Sequence, residues 1–191
     1  MRKIQSSFFL LPLLLCVSCG RTVTLPIGTS LGNLTKVEKK DKVNTNKDAV
    51  SPKSGEVVYL LSFEGKKEFE VKGVAVPELM SMTGGLSDES DIRMKDFSVS
   101  ASPGMASALN LPLVDSSGKE FAPVFFGTQT TEGVISNAGV RFNGSVTGRD
   151  GKPWVTNGKF DFPEPKVTVL YVVPEGATLT LKDGGQQHAI N

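Results

Sequence analysis

Cysteine is almost missing from this chain of 191 residues: it has two, Cys16 and Cys19, and none after them. An intradomain disulfide and a thiolate metal cage are thereby excluded from everything downstream. Histidine is scarcer still. The single copy, His188, stands near the last residue in a Gln-Gln-His-Ala segment that reads as an exposed tail, a poor place for a general base. Long apolar runs are lacking too: residues 8–17 form the main one, interrupted by Pro12, and it is too short to span a bilayer as a helix. No segment carries a helical apolar stripe over about ten residues. Positive charge is not in excess either, since residues 55–191 hold 12 basic and 17 acidic side chains, a balance of −5. A general grip on nucleic acid by that region is excluded, because phosphate binding needs a clustered positive face.

Chemistry-bearing constellations are equally thin. The 17 acidic residues are scattered, and no two are singled out by spacing as a hydrolytic pair. Asp88-Glu89-Ser90-Asp91 is the densest acidic stretch, but it lacks the pattern of a calcium loop and reads as solvated charge. Gly84-Gly85 and Gly184-Gly185 are turn formers without the strand-to-helix context of a phosphate cradle. No catalytic residue, metal ligand or cofactor is therefore named, and the chain is expected not to be an enzyme.

What is present begins at the start of the chain. Arg2 and Lys3 precede the apolar run, giving residues 1–18 the form of a secretory leader. The run closes on Leu15-Cys16-Val17-Ser18-Cys19-Gly20, which resembles the lipobox of bacterial lipoproteins: small Ser18 precedes the cysteine and Gly20 follows it. Cys16 stands where the commonest pattern has Leu, as in the looser motifs of spirochaetes. The resemblance implies lipidation at Cys19 and membrane attachment through several acyl chains. Cys16 is the poorer choice because bulky Leu15 would sit beside the cut.

Residues 19–54 are rich in Thr, Ser, Asn and Lys, with apolar residues widely spaced, and are expected to be a flexible tether with a reach of roughly 30 Å. Residues 55–191 carry short apolar runs between Gly, Pro, Asp and Ser clusters, which predicts an all-β domain of about eight or nine strands. Residues 56–63 and 68–76 flank Glu64-Gly65-Lys66-Lys67 and read as a hairpin. Further strands are expected at 92–101, at 109–114 with 120–126 around Asp115-Ser116-Ser117-Gly118, and at 140–146 with 154–162. The segment 166–173 is apolar on both sides and should be central, with a last strand at 178–181. An antiparallel β-sandwich accommodates this spacing, with a small β-barrel as the alternative.

Leu113-Val114-Asp115-Ser116-Ser117-Gly118-Lys119-Glu120-Phe121, with the later Val169-Leu170-Tyr171-Val172-Val173-Pro174-Glu175-Gly176, resembles the immunoglobulin-like domains of secreted bacterial lipoproteins. The likeness covers about half the domain and implies a fold and an address without a chemistry. Resemblance to spirochaetal surface lipoproteins further implies an outer-membrane, surface-exposed protein that binds host matrix, plasma or complement proteins. The acidic balance favours basic, heparin-binding regions of those partners. Candidate contacts are Met80, Met82, Asp88 and Asp91 in one long loop, and Arg149 and Trp154 around another. A periplasmic, envelope-assembly lipoprotein facing inward is the alternative, and a small hydrolase is third.

Overall fold

The computed structural model describes residues 24–46, 48–65, 68–74, 90–98, 103–130, 133–136, 140–149, 152–162 and 166–191. In chain order these form β1 (Ile27–Thr29), β2 (Gly32–Lys40), β3 (Val43–Asn44), β4 (Ala49–Val50), β5 (Glu56–Glu64), β6 (Glu68–Val74) and β7 (Ser90–Ser98). A short helix, α1 (Pro103–Ser107), precedes β8 (Leu113–Asp115), β9 (Glu120–Phe121), β10 (Phe125–Gln129) and β11 (Ile135–Ser136). The long strands β12 (Arg141–Arg149), β13 (Lys152–Asp161) and β14 (Lys166–Pro174) follow, then β15 (Leu179–Asp183) and β16 (Gln186–Ala189).

β5 and β14 pair antiparallel along their whole length at the centre of a six-stranded sheet ordered β1-β2-β5-β14-β10-β11. Their composition explains the position. Tyr59, Leu61 and Phe63 oppose Tyr171, Val169 and Val167 on one face, while Leu60 opposes Leu170 on the other, and all are buried. A strand apolar on both faces is stable only where both faces are covered. The polar exceptions are satisfied: Ser62 and Thr168 are cross-strand partners whose hydroxyls lie 3.3 Å apart. Tyr171 Oη donates to the Leu111 carbonyl at 2.7 Å, and Tyr59 Oη accepts from Asn191 Nδ2 at 3.1 Å.

Two four-stranded antiparallel sheets, β6-β13-β12-β7 and β16-β15-β8-β9, and the β3-β4 ribbon complete the fold. The six-stranded sheet meets the first of these through aromatic rings: Phe126 on β10 stands edge-on to Phe162 at 5.6 Å and tilted to Phe160 at 6.4 Å, and Phe160 meets Phe142 at 5.5 Å. Burial of each ring contributes about 1.5–3 kcal/mol, and each such contact about 0.5–1.5 kcal/mol more. The sheets are open at both ends of each order, so the fold is an all-β sandwich and the barrel alternative falls.

The hairpins expected around Asp115-Ser116-Ser117-Gly118 and between 140–146 and 154–162 form, as β8-β9 and β12-β13, although the first is shorter than expected and Phe125-Phe126 pass instead to β10 beside β14. In the first, Asp115 Oδ1 accepts from the backbone N–H of Ser117 and Lys119 and from the Ser117 hydroxyl, and Gly118 takes a φ of 86°. Three expectations are corrected. Residues 56–63 and 68–76 do not form a hairpin: β5 pairs with β2 and β14, whereas β6 pairs with β13 in another sheet. β5 needs two covered faces, and β6, alternating Glu68, Glu70 and Lys72 with Phe69 and Val71, suits a half-exposed edge. His188 is not in a loose tail but on β16, opposite Leu181 and half-buried.

The third correction concerns the tether. Residues 27–50 are strands, and Leu31, Leu34 and Val43 are core residues. Leu34 and Val37 stand three apart, a spacing that a period-two reading rejects. A register shift between Leu34 and Lys36 restores it: Leu34 opposes Phe63 and Val37 opposes Leu61, which share a face of β5. The next position on that face is Lys39, whose ammonium lies 5.1 Å from the centre of the Tyr59 ring. Its stem covers apolar surface while the charge sits over the ring. The domain therefore begins before residue 55.

Candidate functional site

The described strands match most of their lysines to a partner. Lys36 and Lys40 flank Glu38 at 3.0 and 3.9 Å, Lys72 meets Glu70 at 3.2 Å, and Lys159 meets Glu68 at 2.9 Å. Lys166 meets Glu64 at 2.8 Å and Lys182 meets Glu120 at 2.7 Å, while Lys119 lies 5.0 Å from the Phe121 ring centre. The hydrogen bond to Glu68, followed by its charge, raises the Lys159 pKa. Among the described strand side chains, Arg93 and Lys95 on β7 and Arg141 on β12 have neither an acid nor a ring as partner, and all three are exposed, as are Lys42 and Lys53 in the connections. Arg141 stands across the ladder from Asp161 without closing an ion pair.

The backbone around Arg93 and Lys95 is built by two related irregularities. Asn143-Gly144 on β12 and Asn157-Gly158 on β13 face one another, with Gly144 directly opposite Gly158. Asn143 Oδ1 accepts the N–H of Asp96 on β7 at 2.8 Å, and Asn157 Oδ1 accepts the N–H of Gly73 on β6 at 2.9 Å. Asp96 (φ 49°) and Gly73 (φ 64°) both adopt the left-handed conformation, each as the extra residue of a bulge. A Cβ on Gly144 would collide with the Asn157 carbonyl and lie 2.7 Å from the Phe142 ring, so the ring packs where a side chain would stand.

Beside this crossing lies an open cleft of about 410 Å³, lined by Arg93, Met94, Lys95, Gly144, Ser145 and Asn157. Its side-chain polar groups are chiefly donors: a guanidinium, an ammonium, a hydroxyl, and the Asn157 amide whose oxygen is already engaged by Gly73. No described carboxylate lines it. A second depression, of about 350 Å³ between β6 and the β15-β16 turn, has its charges occupied: Glu70 is bridged to Lys72, and Asp183 Oδ2 accepts the N–H of Ser30 at 2.7 Å.

Of the residues singled out by sequence, Cys19, Met80, Met82 and Asp88 lie outside the described residues, as does most of the acidic stretch. Asp91, Arg149 and Trp154 are described through their backbone. Register brings them together: Asp91 opposes Thr147, Thr147 opposes Val155 next to Trp154, and Arg149 opposes Lys152. Val74 and Ser90, which flank the segment containing Met80, Met82 and Asp88, pair with Thr156 and Gly148 at this same end. The second expected loop is corrected: Arg149 and Trp154 lie on the paired strands β12 and β13, which leave only residues 150–151 between them, and this hairpin turn stands at the same end of the sheet as the ends that flank the first loop, adjacent to the cleft. Arg93, Lys95, Ser145 and Asn157 were missed, and the signal that marks them is the pair of Asn-Gly dipeptides inside otherwise regular strands.

Among the described residues no group of three or more His, Cys, Asp or Glu side chains is placed to hold a metal ion, and no helix is long and apolar enough to cross a membrane. Comparisons with protein-family profiles, with curated proteins and with solved structures give no match for this chain.

Proposed function

We propose that the chain is an exported lipoprotein, attached to the outer membrane through Cys19 and displayed at the cell surface, whose β-sandwich binds a macromolecular partner without catalysing a reaction. The leader and the Ser18-Cys19-Gly20 segment support the address. The binding role rests on one observation: cations without an ion-pair partner, the ends that flank one long connection and the β12-β13 hairpin turn converge on one end of the β6-β13-β12-β7 sheet. Loops on a rigid sheet are where binding residues concentrate. Host matrix, plasma or complement proteins are the partner class.

The favoured charge of that partner changes with the domain boundary. Residues 24–191 hold 18 basic and 20 acidic side chains, a balance of −2 in place of −5. The exposed face of β7 and β12 is locally cationic, so anionic groups on the partner replace basic ones as the best targets. Metabolic palmitate labelling of the protein and its Cys19→Ser variant tests the anchor, since the label should vanish with Cys19 and survive Cys16→Ser. Surface proteolysis of intact cells and binding to a panel of matrix and complement proteins test the rest. Protection from protease together with failure across the panel overturns the surface-binding role.

A further inference from the structure

We propose that the cleft between β7 and the Gly144–Gly158 crossing binds an acidic carbohydrate, a chain of sugars bearing sulfate or carboxylate groups. This deepens the binding role proposed above and rests on it, but it does not depend on the lipid anchor. The ligand chemistry follows from the lining. Arg93 and Lys95 present exposed charge that closes no ion pair with a described carboxylate, so the complementary group is an anion. The Arg93 fork suits the paired oxygens of a carboxylate or sulfate, and Lys95 adds a second point charge two residues along the strand.

The polar neutral groups suit sugar hydroxyls. Ser145 opposes Arg93 on one side and Asn157 on the other, so guanidinium, hydroxyl and amide form a row across three strands. The Asn157 side chain is fixed by its bond to Gly73, which leaves its NH₂ group as a preset donor, and Ser145 both donates and accepts. The cleft is open and shallow, as a chain running across a sheet face requires. Two other anionic partners fit less well. Single-stranded nucleic acid is held by stacking on aromatic rings, and no described ring lines the cleft. An acidic protein surface would need a desolvated apolar anchor, and among the described lining residues Met94, half-buried, is the only large apolar side chain.

The test uses the full chain in detergent and three oligosaccharide probes: a sulfated heparin fragment, a hyaluronan fragment carrying carboxylates alone, and neutral dextran. Binding is followed by titration calorimetry at low and high salt. At least one acidic probe should bind, dextran should not, and salt should weaken the interaction because its ion pairs lie at the surface. The double variant Arg93→Ala, Lys95→Ala should lose about tenfold or more in affinity, while Lys166→Ala, bridged to Glu64 on another sheet, should bind as the parent does. Equal binding of dextran, or undiminished binding by the double variant, overturns the assignment. If neither acidic probe binds but a protein on the panel does, the carbohydrate is refuted and the partner-binding role stands; if both fail, both fall.

Discussion

Truncation of Leu34 separates a strand from a spacer. Leu34 is fully buried (0% exposed) and stands opposite Phe63 on β5 and Ile27 on β1, so its side chain has no route to collapse into solvent. Leu34→Ala removes three carbons, worth about 2.4 kcal/mol at about 0.8 kcal/mol per buried methylene. The space left behind adds a cavity term, bringing the expected loss to about 3–4 kcal/mol. In a domain of this size that lowers Tm by about 6–16 °C. The paired control is Lys40→Ala on the same strand, whose side chain is 52% exposed and 3.9 Å from Glu38. It should stay within about 0.5 kcal/mol of the parent. Urea unfolding followed by far-ultraviolet circular dichroism measures both. If Leu34→Ala is as stable as Lys40→Ala, β2 is not part of the cooperative unit and residues 24–50 are a spacer after all.

Gly144→Ala places a Cβ against the Asn157 carbonyl and 2.7 Å from the Gly158 Cα, backbone atoms of a paired strand that cannot step aside, and should cost about 1–3 kcal/mol or more in the same unfolding assay. Gly185→Ala, with nothing within 4 Å, should be within about 0.5 kcal/mol of neutral. Tyr171→Phe leaves the Leu111 carbonyl without its donor in the core and should cost about 1–3 kcal/mol; burial also raises the Tyr171 pKa, so its phenolate absorbance should rise only as alkali unfolds the chain. The Asp115 pKa is lowered from its ordinary 3.8, chiefly by the Ser117 hydroxyl and then by the N–H groups of Lys119 and Ser117. A depressed carboxylate stabilises the fold above its ordinary pKa and loses that contribution as pH falls through the lower folded value. The stability difference between the parent and Asp115→Ala should accordingly shrink on acidification below 3.8, and a difference that grows would refute the assignment.

Much of the fold was legible where local chemistry and global position agree. The two-sided apolar run of β14 announces a central strand, and Asp115-Ser116-Ser117-Gly118 announces its turn through an acceptor side chain and a glycine at positive φ. Reading failed on β2, where a bulge changes the parity of the strand. Leu34 and Val37 are three residues apart, yet a register shift brings them to one side of the strand, as another does for Met94 and Phe97 on β7. Counted at period two, such a strand looks broken or polar. The β5-β6 connection failed for another reason: nearness in sequence favours a hairpin, but the burial needed by β5 on both faces outweighs it.

The site was hidden because an unpaired charge belongs to strand order and not to any strand alone. Arg93-Met94-Lys95 reads as ordinary alternation on an exposed strand, and Glu68, Glu70 and Lys72 read the same way. Only the order β6-β13-β12-β7 decides which charges meet. It sets Glu68 on β6 against Lys159 on β13, so the acid-bearing edge neutralises its inner neighbour. It sets Arg93 on β7 against Ser145 on β12, where nothing acidic answers it. Exchanging the two edge strands would give Arg93 and Lys95 the lysine of β13 as neighbour and leave the acids beside Arg141 and Ser145. The cationic cleft is thus a consequence of topology. Its chemistry follows from four side chains, but that its two cations close no ion pair with a described carboxylate could be read only after the register was known.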